Sequence, residues 1–459
     1  MHAVFSDLQW LTVSLPEDVA KLKWYGDFER AQKVIDLSLE RNLPEGLKKR
    51  LLLEKEILHR MPQAYPHTRE QALEILRGAL RDFRDEELDA LQDANAVEWI
   101  FRHGVVHYKD NFLENLLKTR QAYADRVKDP ALTAPNHANL ELLNRTIATM
   151  KRKKSLGYRF RLRCELSLSP SCEREGETIR VHLPLPVEYA QVRNFRLVTA
   201  DPTPTLVGRP DHPHRTIFFE TPLRARQKFS VEYEFENVVH YQRPDPAGVT
   251  GAQPTFYTEE HLPHVWLTPY MKSLAAEITV GCEGNPLRKA RSIYDYITSH
   301  VMYSFVRPYL TLGLIPEYVA TGFKGDCGVQ AILFITLCRA AGIPARWQAG
   351  QYCTPLDVSS HDWAQFYVAP YGWLFADCSF GGSARRRGDT ERWDFYFGNL
   401  DPFRIPLCSE FQHDLDPASR FTRHDPYDNQ IGEVEYADLA LAGDEFHTQY
   451  TLLSAQEIQ

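Results

Sequence analysis

The sequence has few cysteines, a small net charge and no long apolar run. Eight cysteines in 459 residues are too few for a disulfide-stabilised scaffold, and none forms a C-x-x-C pair. The net charge of −8 gives no reason to expect a nucleic acid or an anionic membrane as a partner. No basic segment followed by an apolar run opens the chain, and no apolar run reaches the length of about 18 residues that a membrane helix needs. These absences predict a cytoplasmic protein with no membrane association.

The spacing of apolar residues changes along the chain and predicts several domains. Residues 1–155 show helical spacing, residues 156–250 show short alternating segments typical of a β-sandwich, and residues 251–400 mix both patterns. The turn-rich residues 401–459 are predicted to form a C-terminal extension that packs on the mixed core. We therefore expect a multidomain α+β protein.

The helices predicted in this way cover residues 16–42, 43–60, 68–83, 85–103, 111–126, 136–154 and 286–304. The predicted strands cover residues 160–168, 179–186, 192–200, 216–221, 228–239, 345–353, 361–369 and 372–380.

Cys327 is predicted to lie at the first turn of a buried helix. Between Val329 and Ala341 the only charged side chain is Arg339, and Gly342 and Pro344 mark the end of the helix. The unpaired N–H groups and the dipole at a helix N-terminus favour a thiolate. The alternative is that Cys327 is a packed thiol, which is the interpretation we give to most of the other cysteines.

A histidine and an aspartate follow at positions that suit a nucleophilic cysteine. His361 opens a strand pattern in which Trp363 shares its face and could shield the imidazole from water. Asp377 comes late in the next, otherwise apolar strand pattern, where a carboxylate needs a partner. A hairpin centred on Ala369 would pair His361 with Asp377, whereas a turn at residues 370–372 would move Asp377 about four residues away. We predict the first register.

In their order and context these residues resemble the bacterial transglutaminase-like superfamily. The shared features are a cysteine at a helix start, then GIPAR (342–346), HDWAQ (361–365) and GWLFAD (372–377). The resemblance covers about residues 286–380 and implies a papain-like core. It implies Cys327 as the nucleophile, His361 as the base and Asp377 as the acid that orients the base. Two positions depart from the family pattern: Gln365 stands where the family often has an acid, and Cys378 where it often has a proline.

The resemblance implies acyl transfer on peptide or protein amides through a thioester, without a metal or other cofactor. Hydrolysis is the predicted outcome because water is always available and nothing in the sequence marks an amine site. A protein-glutamine transglutaminase and a non-catalytic binding module are the alternatives. Trp363 and Tyr303 are the candidate substrate contacts, and Tyr303 is also a candidate second donor to an oxyanion. The oligomeric state is not predicted.

Overall fold

The computed structural model describes residues 5–458, and its helices and strands confirm a mixed α+β chain. The helices are α1 (Glu17–Tyr25), α2 (Phe28–Leu39), α3 (Glu45–Arg60), α4 (Arg69–Ala79), α5 (Glu86–Asp93), α6 (Phe112–Thr119), α7 (Gln121–Ala124), α8 (His137–Lys153), α9 (Pro269–Ile278), α10 (Pro286–His300), α11 (Ile315–Gly322), α12 (Cys327–Ala340), α13 (Cys378–Arg386) and α14 (Thr390–Phe395). The strands are β1 (Trp99–Arg102), β2 (Val105–Tyr108), β3 (Ser155–Leu168), β4 (Thr178–Pro184), β5 (Val192–Asp201), β6 (Leu206–Val207), β7 (Thr216–Pro222), β8 (Lys228–His240), β9 (Met302–Tyr303), β10 (Lys324–Gly325), β11 (Ala345–Cys353), β12 (Val358–Val368), β13 (Gly372–Ala376), β14 (Phe397–Gly398), β15 (Arg404–Cys408), β16 (Glu433–Glu435) and β17 (Phe446–Ile458). Over residues 5–458, no helix combines the length and apolar character needed to span a bilayer.

The chain folds into two compact units. One unit contains Ser6–Asn136 and Val301–Asp326. It holds helices α1–α7 and α11, the hairpin β1–β2 and the short parallel pair β9–β10. Its apolar core joins one face each of α4, α5 and α6 to β2, with Leu76, Leu88, Leu116 and Tyr108 buried together.

One hairpin in this unit stands where a helix was predicted. The helix predicted over residues 85–103 ends at Asp93, and β1 pairs with β2 instead. His103 and Gly104 form a two-residue loop in which both have positive φ, at 50° and 76°. That loop geometry matches the twist of two antiparallel strands and redirects a segment whose apolar residues also fit a helix.

The second unit contains residues 137–300 and 327–458 and carries three sheets. Two four-stranded sheets have the orders β17-β3-β8-β5 and β16-β4-β7-β6. The inward residues of both sheets bury one another in a shared core, as in a β-sandwich. The third sheet is five-stranded, with the order β14-β13-β12-β11-β15. Its residues Tyr352 and Ile405 join the same core.

Helix α8 and the C-terminal tail both belong to the second unit. Ile147 and Met150 of α8 pack with Leu156 and Phe395. The tail after residue 400 adds one edge strand to each of the three sheets: β15, β16 and β17. These strands pair with backbone groups that would otherwise form exposed sheet edges, so the tail is part of the sandwich as well as of the core.

Candidate active site

Cys327 is the first residue of a helix that is buried on all sides. Every residue of α12 from Gly328 to Arg339 is buried, while Cys327 itself is partly exposed. Gly342 has φ of 79° just beyond the helix, as its sequence position predicts. Of the eight cysteines, only Cys172 shares this partial exposure. The helix therefore fixes the thiol at the border between the core and solvent.

The β12–β13 hairpin has a register that lies between the two considered from the sequence. Val368 pairs with Gly372, which centres the hairpin on Pro370 rather than on Ala369. The predicted register is therefore wrong. The strand pattern predicted to reach residue 380 ends at Ala376, because α13 begins two residues later.

The shifted register still brings His361 and Asp377 together. Continuing the ladder by one step places Asp377 opposite Trp363, two residues from His361. Alternate residues of a strand share a face, and such diagonal neighbours remain within reach of one another. The distance between His361 Nε2 and Asp377 Oδ2 is 2.8 Å. An offset of two residues shifts a contact along a strand, whereas an offset of one residue would have moved it to the other face.

Asp377 is held as an ionised acceptor. Its Oδ1 accepts hydrogen bonds from the Phe380 backbone N–H at 2.9 Å and from the Ser379 hydroxyl at 3.2 Å, so Asp377 caps α13. Burial alone would raise the pKa of Asp377, but His361, Arg404 and these hydrogen bonds outweigh burial and hold that pKa below its ordinary value.

Arg404 is a buried cation behind this pair, and sequence reasoning did not single it out. Its Nη2 lies 3.1 Å from Asp377 Oδ2, and its Nε donates to Asp401 Oδ2 at 3.2 Å. The guanidinium also stacks 3.8 Å from the Phe380 ring centre. Residue 404 lies 27 positions beyond Asp377, in a segment read as turn-rich, so no local pattern marks it; β15 brings it to the site by pairing with β11.

The imidazole of His361 has one nitrogen committed and one available. Because ionised Asp377 can only accept, the neutral ring donates from Nε2 and keeps its lone pair on Nδ1. Among residues 5–458, Nδ1 of His361 makes no hydrogen bond. The ring packs at 4.8 Å against Phe380 and at 6.1 Å against Trp363. Its surroundings therefore fix both the orientation and the tautomer of the ring.

The Cys327 sulfur has a hydrogen-bond partner that the sequence analysis did not propose. Its Sγ lies 3.3 Å from Oδ2 of Asp362, the residue after His361. Gln430 Nε2 donates to the other oxygen of Asp362 at 2.6 Å and to the His361 carbonyl at 3.2 Å. Consecutive strand residues point to opposite faces, and Phe366, on the Asp362 face, packs against Phe334 of α12. The thiol therefore meets the carboxylate that directly follows His361 on β12, beside the face that α12 covers.

The two predicted substrate contacts belong to different units of the chain. Trp363 is 0% exposed and its Nε1 donates to Gln348 at 2.6 Å, so it offers no surface to a substrate. Its packing against His361 instead matches the predicted shielding of the ring. Tyr303 belongs to the first unit, where its ring packs against Phe305 and Lys118. Within the described part of the chain, no group of three His, Cys, Asp or Glu side chains could hold a metal ion.

His361 should remain neutral at pH values at which a free histidine is already largely protonated. Burial lowers the pKa of His361 below its ordinary value of 6.5, and the charge of Asp377 offsets only part of this effect. Because the unfolded chain binds this proton more tightly, the His361 contribution to stability should increase as pH rises through about 6.5. Nitrogen-15 NMR should find Nδ1 unprotonated at pH 6.5, with His361→Gln identifying the signal. A midpoint of His361 protonation above pH 6.5 would contradict the lowered pKa.

These features describe a mixed α+β unit with a cysteine at the start of a buried helix that packs on an antiparallel sheet. Residues 272–378 match the family model of the transglutaminase-like superfamily. The matched segment contains Cys327, His361 and Asp377.

Solved structures and curated proteins give further comparisons. The chain is similar to a putative cysteine protease from Cytophaga hutchinsonii at 13% identity and a TM-score of 0.39, over 65% of this chain and 91% of that one. It is also similar to the periplasmic domain of TgpA from Pseudomonas aeruginosa at 16% identity and a TM-score of 0.28, over 54% of this chain and 95% of that one. A search of curated proteins finds no match.

Proposed function

We propose that this protein is a cysteine-dependent acyl-transfer enzyme that hydrolyses amides of peptides or proteins. In this proposal Cys327 is the nucleophile, His361 is the general base and Asp377 orients and stabilises the imidazole. The matched superfamily segment supports the class of chemistry, and the order of the three residues supports the assignment of their roles.

The observation that carries the proposal is the buried His361–Asp377 pair with Nδ1 left available. A general base for a thiol needs an accepting nitrogen and a fixed orientation. The 2.8 Å contact with Asp377 provides the orientation, and it also stabilises the imidazolium that forms when the ring accepts a proton. A histidine with a purely structural role would be expected to use both nitrogens when 5% exposed.

The proposed reaction uses the Cys327 thiol, the His361 imidazole and the N-terminus of α12. Nδ1 of His361 takes the Cys327 proton while the sulfur attacks the amide carbonyl, giving a tetrahedral oxyanion. The backbone N–H of Cys327, at the start of α12, is the proposed donor to that oxyanion. The C–N bond then breaks, the amine leaves with the proton from the imidazolium, and a thioester remains. Water, deprotonated by the same imidazole, releases the acid and restores the thiol.

Both groups begin the reaction uncharged. Burial lowers the pKa of His361, so the ring is neutral near pH 7. The Cys327 sulfur meets a carboxylate, which favours S–H over a thiolate. The helix N-terminus favours the thiolate, as predicted, but the carboxylate beside the sulfur opposes this effect. In this proposal the proton leaves Cys327 only during the attack.

Mass spectrometry of a model substrate tests the proposal and separates its alternatives. β-Casein would be incubated with the enzyme in heavy-oxygen water, with and without a dansylated alkyl amine. Hydrolysis adds one heavy oxygen at a cleaved peptide bond or at a deamidated glutamine. Amine incorporation at glutamine would instead identify a transglutaminase. With Cys327→Ala as the control, absence of both products across a panel of protein substrates would favour the non-catalytic binding module.

A further inference from the structure

The Asp362 carboxylate contacts the Cys327 sulfur. The carboxylate uses both oxygens: Oδ2 faces Sγ at 3.3 Å and Oδ1 accepts from Gln430 Nε2 at 2.6 Å. Asp362 is 5% exposed, while the thiol it faces is partly exposed. Nothing in the proposed reaction uses this residue.

We propose that Asp362 is a positioning residue that holds Cys327 as a protonated thiol until substrate binds. This inference rests on the proposed function, because it concerns the nucleophile of the same site. Gln430 fixes the carboxylate in this state, since its amide also donates to the His361 carbonyl at 3.2 Å and so ties both residues together.

The charge at this position belongs to Asp362. The neighbouring Asp428 is also buried, and burial raises its pKa, with the nearby charges of Asp425 and Asp362 adding to the rise. Two buried carboxylates close together do not both ionise. Asp362 faces two donors, the thiol and the Gln430 side-chain amide. The Gln430 backbone N–H and Arg423 lower the pKa of Asp428, but burial and the two neighbouring carboxylates outweigh them. Because the pKa of Asp428 is raised well above its ordinary value, we assign the charge that faces the sulfur to Asp362.

An anionic acceptor beside a thiol has a defined effect on its chemistry. The thiolate is the reactive form, and a neighbouring negative charge disfavours it, as does a hydrogen bond that only S–H can donate. The buried thiol of Cys408 and the Asp428 carboxyl also lie near this carboxylate, and neither carries a positive charge. Catalysis then requires the S–H to exchange its acceptor from Asp362 Oδ2 to His361 Nδ1, where the proton is transferred.

The rate of thiol alkylation tests this inference without any substrate. Asp362→Asn should increase alkylation of Cys327 by iodoacetamide about tenfold or more at pH 7, because a charge effect of one pKa unit changes the thiolate fraction tenfold. The pH for half-maximal alkylation should fall in the variant. In the wild type it should lie at or above about 8.5, the value for a free thiol. Peptide mapping by mass spectrometry would assign the label to Cys327.

Matched variants separate the inference from a structural effect and from the proposed function. Asp357→Asn makes the same charge change at an exposed position just before β12 and should leave the alkylation rate unchanged. Asp362→Glu should keep alkylation slow. Unchanged alkylation in a folded Asp362→Asn variant, or a wild-type midpoint well below 8.5, would overturn the inference. Faster alkylation in an enzyme that cleaves no amide would instead support the inference and count against the proposed function.

Measuring amide hydrolysis in two variants distinguishes a positioning role of Asp362 from a role as the base. If Asp362 only positions the resting thiol, Asp362→Asn should retain amide hydrolysis while His361→Asn abolishes it. The reverse result, loss with Asp362→Asn and retention with His361→Asn, would make Asp362 the base and overturn the inference.

Discussion

Cys327→Ala should reduce amide hydrolysis by about 10⁴-fold or more, because removal of a nucleophile eliminates the covalent pathway and leaves only binding and oxyanion stabilisation. Folding should change little, since Cys327 is partly exposed and the buried body of α12 is untouched. The measurement is kcat/KM on whichever casein-derived peptide is cleaved, with circular dichroism as a check on folding.

Cys172→Ala is the matched control for this substitution. Cys172 is the other cysteine that is not fully buried, and its Sγ lies near Glu445, at 3.9 Å, rather than near His361 or Asp377. Its replacement should leave kcat/KM unchanged. Equal loss of activity in both variants would indicate a general effect on the fold, and activity retained in Cys327→Ala would exclude Cys327 as the nucleophile.

Arg404→Met should lower the free energy of unfolding by about 3–5 kcal/mol, the range seen when one member of a buried ion pair is removed. Arg404 is 0% exposed and faces both Asp377 and Asp401, so its loss leaves two buried carboxylates without their cation. Their charges hold the pKa of the guanidinium above its ordinary value in spite of burial. Urea unfolding followed by circular dichroism would measure the change.

The pH dependence of this loss has a fixed sign. The pKa of Asp377 is depressed in the folded protein, so its contribution to stability is complete above the unfolded value of about 3.9 and is lost as pH falls further. The difference between wild type and Arg404→Met should therefore be largest near pH 7 and shrink below about pH 4. Arg385→Met, at an exposed position on α13, should cost under about 1 kcal/mol. A similar loss at both positions would contradict the role given to Arg404.

The β12–β13 hairpin shows how far a local pattern determines geometry. The alternation of apolar and polar residues assigned His361 and Asp377 to one face, and the structure confirms their contact. The same pattern could not choose the turn, because Ala369, Pro370 and Tyr371 allow several loops. The predicted register was wrong by two residues in pairing. The contact formed nonetheless, because a change of two residues preserves the face of a strand.

The residues that the sequence did not reveal are those whose partners are distant in the chain. Arg404 reaches Asp377 only because β15 pairs with β11, and Gln430 reaches Asp362 across 68 positions. No spacing rule connects such positions. Asp362 was visible in the HDWAQ segment, but its contact with the sulfur depends on which face of β12 the helix α12 covers.

The sequence by itself determined the elements whose signals are local. It predicted helix α12 with Cys327 at its start, strand β11 over residues 345–353 and the transglutaminase-like resemblance, because caps, periodicity and short motifs are encoded within a few residues. Only the tertiary structure decided what surrounds the reactive groups. It placed a buried, hydrogen-bonded Asp377 carboxylate beside His361 and the Asp362 carboxylate beside the Cys327 thiol. The physical reason is that protonation and hydrogen bonding depend on burial and on charges a few ångströms away, which chain folding brings together from unrelated positions.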